Sequence, residues 1–439
     1  MKILYVSQYY PPEMGAPAAR VSELSRHWRE SGHEVTVLTG FPNHPTGVLH
    51  RDYRRQFHRL ICNETVDGVR VVRSWLLPLP NGRAHERILN YSSFCLSAAL
   101  SGTFLARPDI VIATSPQLLV GLAGRWIATR HSVPFIFEVR DLWPESLTAV
   151  GMGDQSSLMN RTLGAVADFL YAQADRIVVV TPASREHLIV HRGVNNDKIS
   201  VIQNGVESAQ FRPAPRNEAL KQRLGMEGRF VVGYLGTIGM AHALETLVQA
   251  ARMLGRMAPE VAFLVVGEGA AKKRIQEVAK AAEVDNIVFV EQQLRDRIPE
   301  FIHACDACLV LLRKTDLFRT VMPTKMLEFM SCGRPVLLGV DGQARQVIEQ
   351  AKAGMFVQPE NASALVDAIC NLRGNPDLCE ALGRNGRDYI LAHYSRRQSA
   401  TAYLSVLENV LGEARSKKWL RESCLRTGNT VASLGPQSH

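Results

Sequence analysis

The sequence predicts an α/β protein made of two doubly wound halves. Three observations carry this. Short apolar runs alternate with helix-length segments from residue 2 to about residue 202. The alternation breaks in a proline- and charge-bearing stretch at 213–229 and restarts at Phe230. In both halves the strands end in glycine-bearing or charged loops that open into helices, the layout of open sheets whose ligands lie at the strand carboxyl ends. The 439 residues suffice for two domains and a tail, and 46% apolar residues suits packed cores.

In the first half, residues 2–7 read as a strand and 9–17 as a loop carrying Gly15. Residues 18–30 read as an amphipathic helix with Val21, Leu24 and Trp28 on one side, and the next strand ends near Thr39. The segment lacks Gly-x-Gly-x-x-Gly, so it is not the dinucleotide fingerprint. Residues 41–59 form a loop region in which Arg51, Arg54, Arg55, His58 and Arg59 interleave with Tyr53 and Phe57. This cluster suits a solvated face or contact with acidic headgroups or a lipid diphosphate. A strand at 69–75 and an apolar loop at 76–80 precede a helix at 86–106. That helix has the length of a membrane span, but Asn90 and several serines dilute it, so a buried or monotopic helix is expected. Strands follow at 110–113, 135–139, 176–180 and 199–202, and Thr181-Pro182 supplies an N-cap and first-turn pair. Arg140, Asp141 and Glu145 follow the 135–139 strand at its carboxyl end; they suit either an ion-paired loop or a ligand site.

The second half opens with a strand at 230–234 ending in Gly236-Thr-Ile-Gly239, then a helix from about 243. A strand at 262–266 ends in Gly267-Glu-Gly269, and further strands lie at 287–290 and 307–312. Glycine turns at helix starts present backbone N–H groups to phosphate. The most informative stretch is 321–339. Pro323 suits the first turn of a short helix over 324–331, Gly333 its left-handed exit, and 335–338 a buried strand. Lys325 and Glu328, three apart, share one face near the helix N-terminus. A lysine there suits a phosphate and the carboxylate a ribose diol, although an ordinary helix-to-strand turn contains such residues too.

Pro-Thr-Lys-x-x-Glu-x-x-x-x-Gly-x-Pro-Val over 323–336 resembles the donor-nucleotide motif of the family 4 glycosyltransferases, retaining enzymes of the GT-B fold. Arg-Asp-Leu-Trp-Pro-Glu at 140–145 is similar to a signature of the branch of bacterial O-antigen and capsule transferases acting on N-acetyl-L-fucosamine-like sugars, and Asn204-Gly-Val followed by Phe211-Arg-Pro resembles the segment that ends the first domain in the family, with Glu207 at the usual Asp. The resemblance covers about 1–411. It implies two Rossmann-like domains facing across a cleft: an acceptor domain at 1–208, a linker at 209–229, a donor domain at 230–394, a helix at 395–412 crossing back to the first domain, and a disordered tail at 413–439.

What the resemblance implies for the site is specific. Gly15, Gly236, Thr237, His242, Gly267, Gly269, Leu294, Arg319, Thr324, Lys325 and Glu328 would bind the donor. Arg140, Asp141 and Glu145 would bind the acceptor, and Arg140, Asp141 and Lys325 are the catalytic candidates. Many members carry Arg and Lys where this chain has Thr237 and His242, and Glu where it has Thr320; Lys325 and Arg319, with Arg313 and the Gly15 and Thr324 N–H groups, would compensate. The expected reaction is transfer from a UDP-sugar to a polyprenyl-diphosphate-linked saccharide, with no metal and no cofactor. A GT-B-fold UDP-sugar epimerase and a non-catalytic scaffold are the rival readings.

The formal charge of +9 fits diphosphate ligands and an anionic membrane surface, and no nucleic-acid module accompanies it. No stretch reads as a signal peptide, and the eight scattered cysteines suit reduced thiols. Cys305-x-x-Cys308 lacks a second ligand pair and reads as packing. The expected location is the cytoplasm, peripheral to the inner membrane leaflet.

Overall fold

The computed structural model describes residues 1–44, 46–80, 83–145 and 158–428. The first half contributes β1 (Lys2–Val6), β2 (Glu34–Gly40), β3 (Ile61–Val66), β4 (Val69–Ser74), β5 (Ile110–Thr114), β6 (Phe135–Val139), β7 (Arg176–Val179) and β8 (Ile199–Val201). They form one sheet in the order β3-β4-β2-β1-β5-β6-β7-β8, parallel except for the β3–β4 pair. The second half contributes β9 (Phe230–Leu235), β10 (Val261–Val266), β11 (Ile287–Val290), β12 (Ala307–Leu311), β13 (Val336–Gly339) and β14 (Gly354–Phe356), in the order β11-β10-β9-β12-β13-β14. In both sheets the strand order reverses beside the first strand, so a crevice opens at the carboxyl ends of β1 and β9. Two doubly wound sheets of this kind make the GT-B fold expected from the sequence.

The central strands are buried along their whole length because helices cover both faces. Edge strand β3 alternates exposed and half-buried residues, and the sequence reading missed it: Asn63, Glu64 and Thr65 give it no apolar run. Strand β14 was missed as well, being three residues long.

Helix α1 (Ala16–Glu30) starts at Gly15 with Pro17 in its first turn and buries Val21, Leu24 and Trp28. Helix α2 (Ala84–Thr103) begins and ends slightly before the predicted 86–106. It buries Phe94 and Ala98 and packs on α3 (Val120–His131). Among the described residues no helix is long and apolar enough to cross a membrane.

The final helix, Arg396–Gly428, lies on the first sheet: Ala400, Tyr403, Leu407 and Val410 join the Tyr5, Leu24 and Trp28 core. The Trp28 indole N–H donates to the Ala400 carbonyl at 3.1 Å, and its ring meets Tyr403 edge-on. This helix continues past Leu411, so 413–428 is helical where the sequence reading expects disorder. The cause is composition: Glu413 and Arg415, though polar, are good helix formers, as is Ala414, and Arg176 donates to Glu413 at 2.7 Å. The rest of that predicted tail, 429–439, lies outside the described residues. Within the predicted linker, Phe211, Leu220 and Met226 are buried in the second half's core, and Lys221 pairs with Asp306 at 2.9 Å.

One buried ion pair ties the first half together. Arg20 on α1 donates from Nε (3.0 Å) and Nη2 (2.9 Å) to Glu138 Oε1 on β6, and Tyr5 donates to Glu138 Oε2 at 2.7 Å. Arg20 also reaches the Ile202 and Gln203 carbonyls and Asn204 Oδ1. Glu138→Ala strands the Arg20 guanidinium in the core, so urea unfolding should show a loss of roughly 3–5 kcal/mol.

Candidate active site

Between the two sheets lies a cleft of about 570 Å³. Its first wall is the start of α1 with Gly15, the loop after β6 with Arg140 and Asp141, and Thr181 and Asn204. Its second wall is Gly236, Thr237 and His242 after β9, Gly267 and Glu268 after β10, Gln293 and Arg295 after β11, and the Thr324–Ser331 helix with Lys325 and Glu328. The walls touch where Thr181 Oγ1, which also caps the Pro182–Arg192 helix, donates to the Thr320 carbonyl at 3.0 Å.

Lys325 dominates the electrostatics. Its Nζ sits 4.0 Å from the centre of the Tyr234 ring, and among the described residues it finds no hydrogen-bond partner. Burial lowers its pKa to about 7, against the pull of Glu328. The backbone makes room for it: Gly236 has φ +142°, and a Cβ there would lie 3.0 Å from Nζ. Gly267, at φ +150°, lets the two loops meet, since a Cβ there would overlap the Gly236 carbonyl oxygen.

His242 is neutral. Burial, then the Lys325 charge, lowers its pKa to about 3. Its Nδ1 takes the Gly239 N–H at 3.3 Å, which leaves Nε2–H as a donor. The position where the sequence resemblance leads us to expect a cation therefore offers an uncharged N–H here. Glu328 Oε1 accepts from Arg295 Nη1 at 2.8 Å. Across the cleft, Arg140 is anchored by its backbone N–H, which donates to Ser115 Oγ at 2.7 Å, while its Nε and Nη1 are buried with no hydrogen-bond partner among the described residues. Lys325 and Arg140, both with unpartnered N–H donors among the described residues, and several backbone N–H groups thus face one cavity, an arrangement suited to a multivalent anion.

Most, but not all, of the sequence-predicted residues come together. Gly15, Arg140, Asp141, Gly236, Thr237, His242, Gly267, Thr324, Lys325 and Glu328 line the cleft; Gly269, Leu294 and Arg319 are not among its lining residues. The Arg319 side chain is 59% exposed and lies 3.9 Å from Asp316, so it is not placed to compensate for Thr237. Arg313 pairs with Glu245 and Glu360 instead. Glu145 turns from the cleft to Arg192 (2.6 Å) and His187 (3.4 Å); burial raises its pKa, but these partners bring it down to about 2. It is an ion-paired loop residue, the alternative that its sequence context had left open. Sequence reasoning missed Arg295. It stands in Arg295-Asp-Arg297, which looks like any solvated charge run.

Family models match both halves: glycosyl transferase 4-like domain over residues 15–205, and glycosyl transferases group 1 over 216–389. WcaI of Escherichia coli strain K12, a glycosyl transferase named for colanic acid biosynthesis, is 23% identical over 382 residues, 84% of this chain and 91% of WcaI. A GDP-mannose-dependent alpha-mannosyltransferase of Mycobacterium tuberculosis is 25% identical over 373 residues, 85% of this chain and 88% of that protein. The solved structure of Anabaena Alr3699/HepE in complex with UDP and glucose superposes with a TM-score of 0.71 at 17% identity, covering 93% of this chain and 99% of that one.

An anion seated on Lys325 would bind in a pH-dependent way. A diphosphate bound there would raise the Lys325 pKa from about 7, so binding would take up a proton. Affinity should be greatest below pH 7 and fall as pH rises through it, by up to about tenfold per unit until the raised pKa is reached. Calorimetry at pH 6 to 9 in buffers of different ionisation enthalpy measures this; Lys325→Met should flatten the profile.

Proposed function

The chain is a GT-B glycosyltransferase of the family 4 type, and from that premise we propose that it moves a sugar from a UDP-sugar to a lipid-diphosphate-linked saccharide, with retention at the anomeric carbon. The pathway would be O-antigen, capsule or exopolysaccharide assembly, a reading that the likeness to WcaI supports. N-acetyl-L-fucosamine is the donor sugar that the sequence motifs favour.

The observation that carries the reading is the Lys325–Glu328 pair on one helical face, with the Lys325 ammonium against the Gly236 turn. In the proposed mechanism the ammonium, the His242 N–H and the N–H groups at the helix start hold the diphosphate. They stabilise the negative charge that builds on the leaving nucleotide as an oxocarbenium-like centre forms. Glu328 accepts from the ribose hydroxyls. Gly15 approaches the phosphates from the other wall, and Arg140 and Asp141 orient the transferred sugar and the acceptor hydroxyl. The leaving phosphate takes the acceptor proton on the same face. Seating of the two walls excludes water, which would otherwise hydrolyse the donor.

A second observation favours a lipid-linked acceptor over an epimerase or a scaffold. Ile88, Leu89, Leu96, Leu100 and Phe104 form an exposed apolar stripe on and just beyond α2, between 45% and 86% exposed, with Trp126 of α3 beside it. The basic turn adjoins it. Phe57 packs on Trp75, whose carbonyl accepts from Ser97 on α2, while Arg51, Arg54, Arg55 and Arg59 point outward. An apolar stripe beside exposed arginines suits an anionic leaflet, here the cytoplasmic face of the membrane.

Three measurements test this. With UDP and GDP titrated in parallel, UDP should bind and Glu328→Ala should weaken it by about tenfold, while Lys325→Ala should lower kcat by about a hundredfold or more. A clear preference for GDP would overturn the choice of base, and unchanged turnover in Lys325→Ala would overturn the phosphate assignment. Leu96→Glu with Leu100→Glu should release the protein from phosphatidylglycerol vesicles while sparing transfer to a short, water-soluble acceptor.

A further inference from the structure

The carboxylate assigned to the ribose is not held by its own half of the molecule alone. Glu328 Oε1 accepts from Arg295 Nη1 at 2.8 Å. The same guanidinium turns its other edge to the first half, donating from Nε (3.0 Å) and Nη2 (2.8 Å) to Glu23 Oε1 on α1. Glu23 Oε2 in turn accepts from Nε of Arg396, the first residue of the final helix, at 2.7 Å. Four charges of alternating sign, Arg396, Glu23, Arg295 and Glu328, run from the start of the final helix to the cleft wall. The Glu23 and Arg396 side chains are 5% and 1% exposed. Glu23 is not among the residues lining the cleft.

The order of these contacts has a physical consequence. Nε and Nη2, one edge of the Arg295 guanidinium, converge on the single oxygen Glu23 Oε1, and this two-point contact restricts the guanidinium plane. Glu23 holds that edge, so the position of Nη1, and with it the rotamer of Glu328, is set from the first half. Burial disfavours the Arg295 charge, but the Glu328 and Glu23 carboxylates outweigh it and keep the guanidinium protonated. The Phe211 ring, 5.0 Å from the guanidinium carbon, backs the fork at the junction between the halves. Oε1 of Glu328 is engaged with the arginine, which leaves Oε2 to accept from a ribose hydroxyl.

We infer that Arg295 is a positioning residue for the donor nucleotide, and that through it the affinity for the ribose depends on Glu23, a carboxylate of the opposite half that does not line the cleft. This rests on the reading of Glu328 as the ribose anchor. It extends that reading by making recognition of the ribose conditional on how the halves are seated. A nucleotide whose ribose engages Glu328 then favours the seating in which Glu23 and Arg295 meet, and the coupling is reciprocal.

The test compares UDP with 2′,3′-dideoxy-UDP on the full chain, by calorimetry, for the native protein, Glu23→Gln, Arg295→Lys and Glu328→Ala. The native protein should prefer UDP by about tenfold, the worth of a charge-assisted hydrogen bond. Glu328→Ala should erase that preference. Glu23→Gln and Arg295→Lys should cut it to about twofold, chiefly by weakening UDP while dideoxy-UDP binds as before, and should raise the donor KM more than they lower kcat. Equal weakening of both nucleotides in these two variants would mean a merely structural role and would overturn the inference. So would an undiminished tenfold preference. A native protein that does not distinguish the two nucleotides would instead overturn the ribose assignment itself. Arg295 is partly exposed, so Arg295→Lys supplies the reading if Glu23→Gln fails to fold.

Discussion

The cleft depends on the buried pair of Arg20 and Glu138. Glu138 is the penultimate residue of β6, two before Arg140; Arg20 is in the second turn of the helix that Gly15 begins. Their bonds, with the Tyr5 hydroxyl and the carbonyls after β8, lock the carboxyl ends of three strands to the start of α1. Burying such charges is costly, and the cost is offset only because every direction of the Arg20 guanidinium meets an acceptor. What it secures is geometry: the glycine loop and the Arg140 loop are presented to the second half at a fixed separation.

The second wall follows a different logic. There the chemistry rests on charges kept poorly solvated. Lys325 is packed against an aromatic face and a glycine turn, so its proton is loosely held, and the neutral His242 beside it adds no second positive charge. A site with one titratable ammonium and one uncharged N–H donor differs from one lined by two permanent cations. Its attraction for an anion follows the protonation of Lys325 and is stronger in a dry cleft than in a solvated one.

Much of this could be read from the chain, and the reason is periodicity. Runs such as Val-Ala-Phe-Leu-Val-Val at 261–266 and the three-residue spacing of Lys325 and Glu328 are local patterns, and local patterns survive in sequence. The misses are of another kind. Arg319 lies close to the motif in sequence, but its position in a short 3-10 turn leaves its side chain in solvent. Glu145 belongs to the right segment, yet Arg192, 47 residues away, claims it. Arg295 bonds Glu23 across 272 residues, and nothing near it in the chain hints at that partner. Residues whose role depends on a distant partner leave no periodic trace.

The return of the final helix to the first sheet also bears on how the molecule is made. Trp28, Tyr5 and Leu24 share a core with Tyr403 and Leu407, so that face of the first half closes only after residue 410 has been synthesised. At about 5–20 residues per second, the roughly 200 residues of the second half take about 10–40 s to follow the first. Throughout that interval the nascent first half carries an unfinished apolar face. The second half has its own core from Phe211 to Tyr394 and can fold as soon as it emerges. Assembly is therefore discontinuous along the chain: the part made first is finished last.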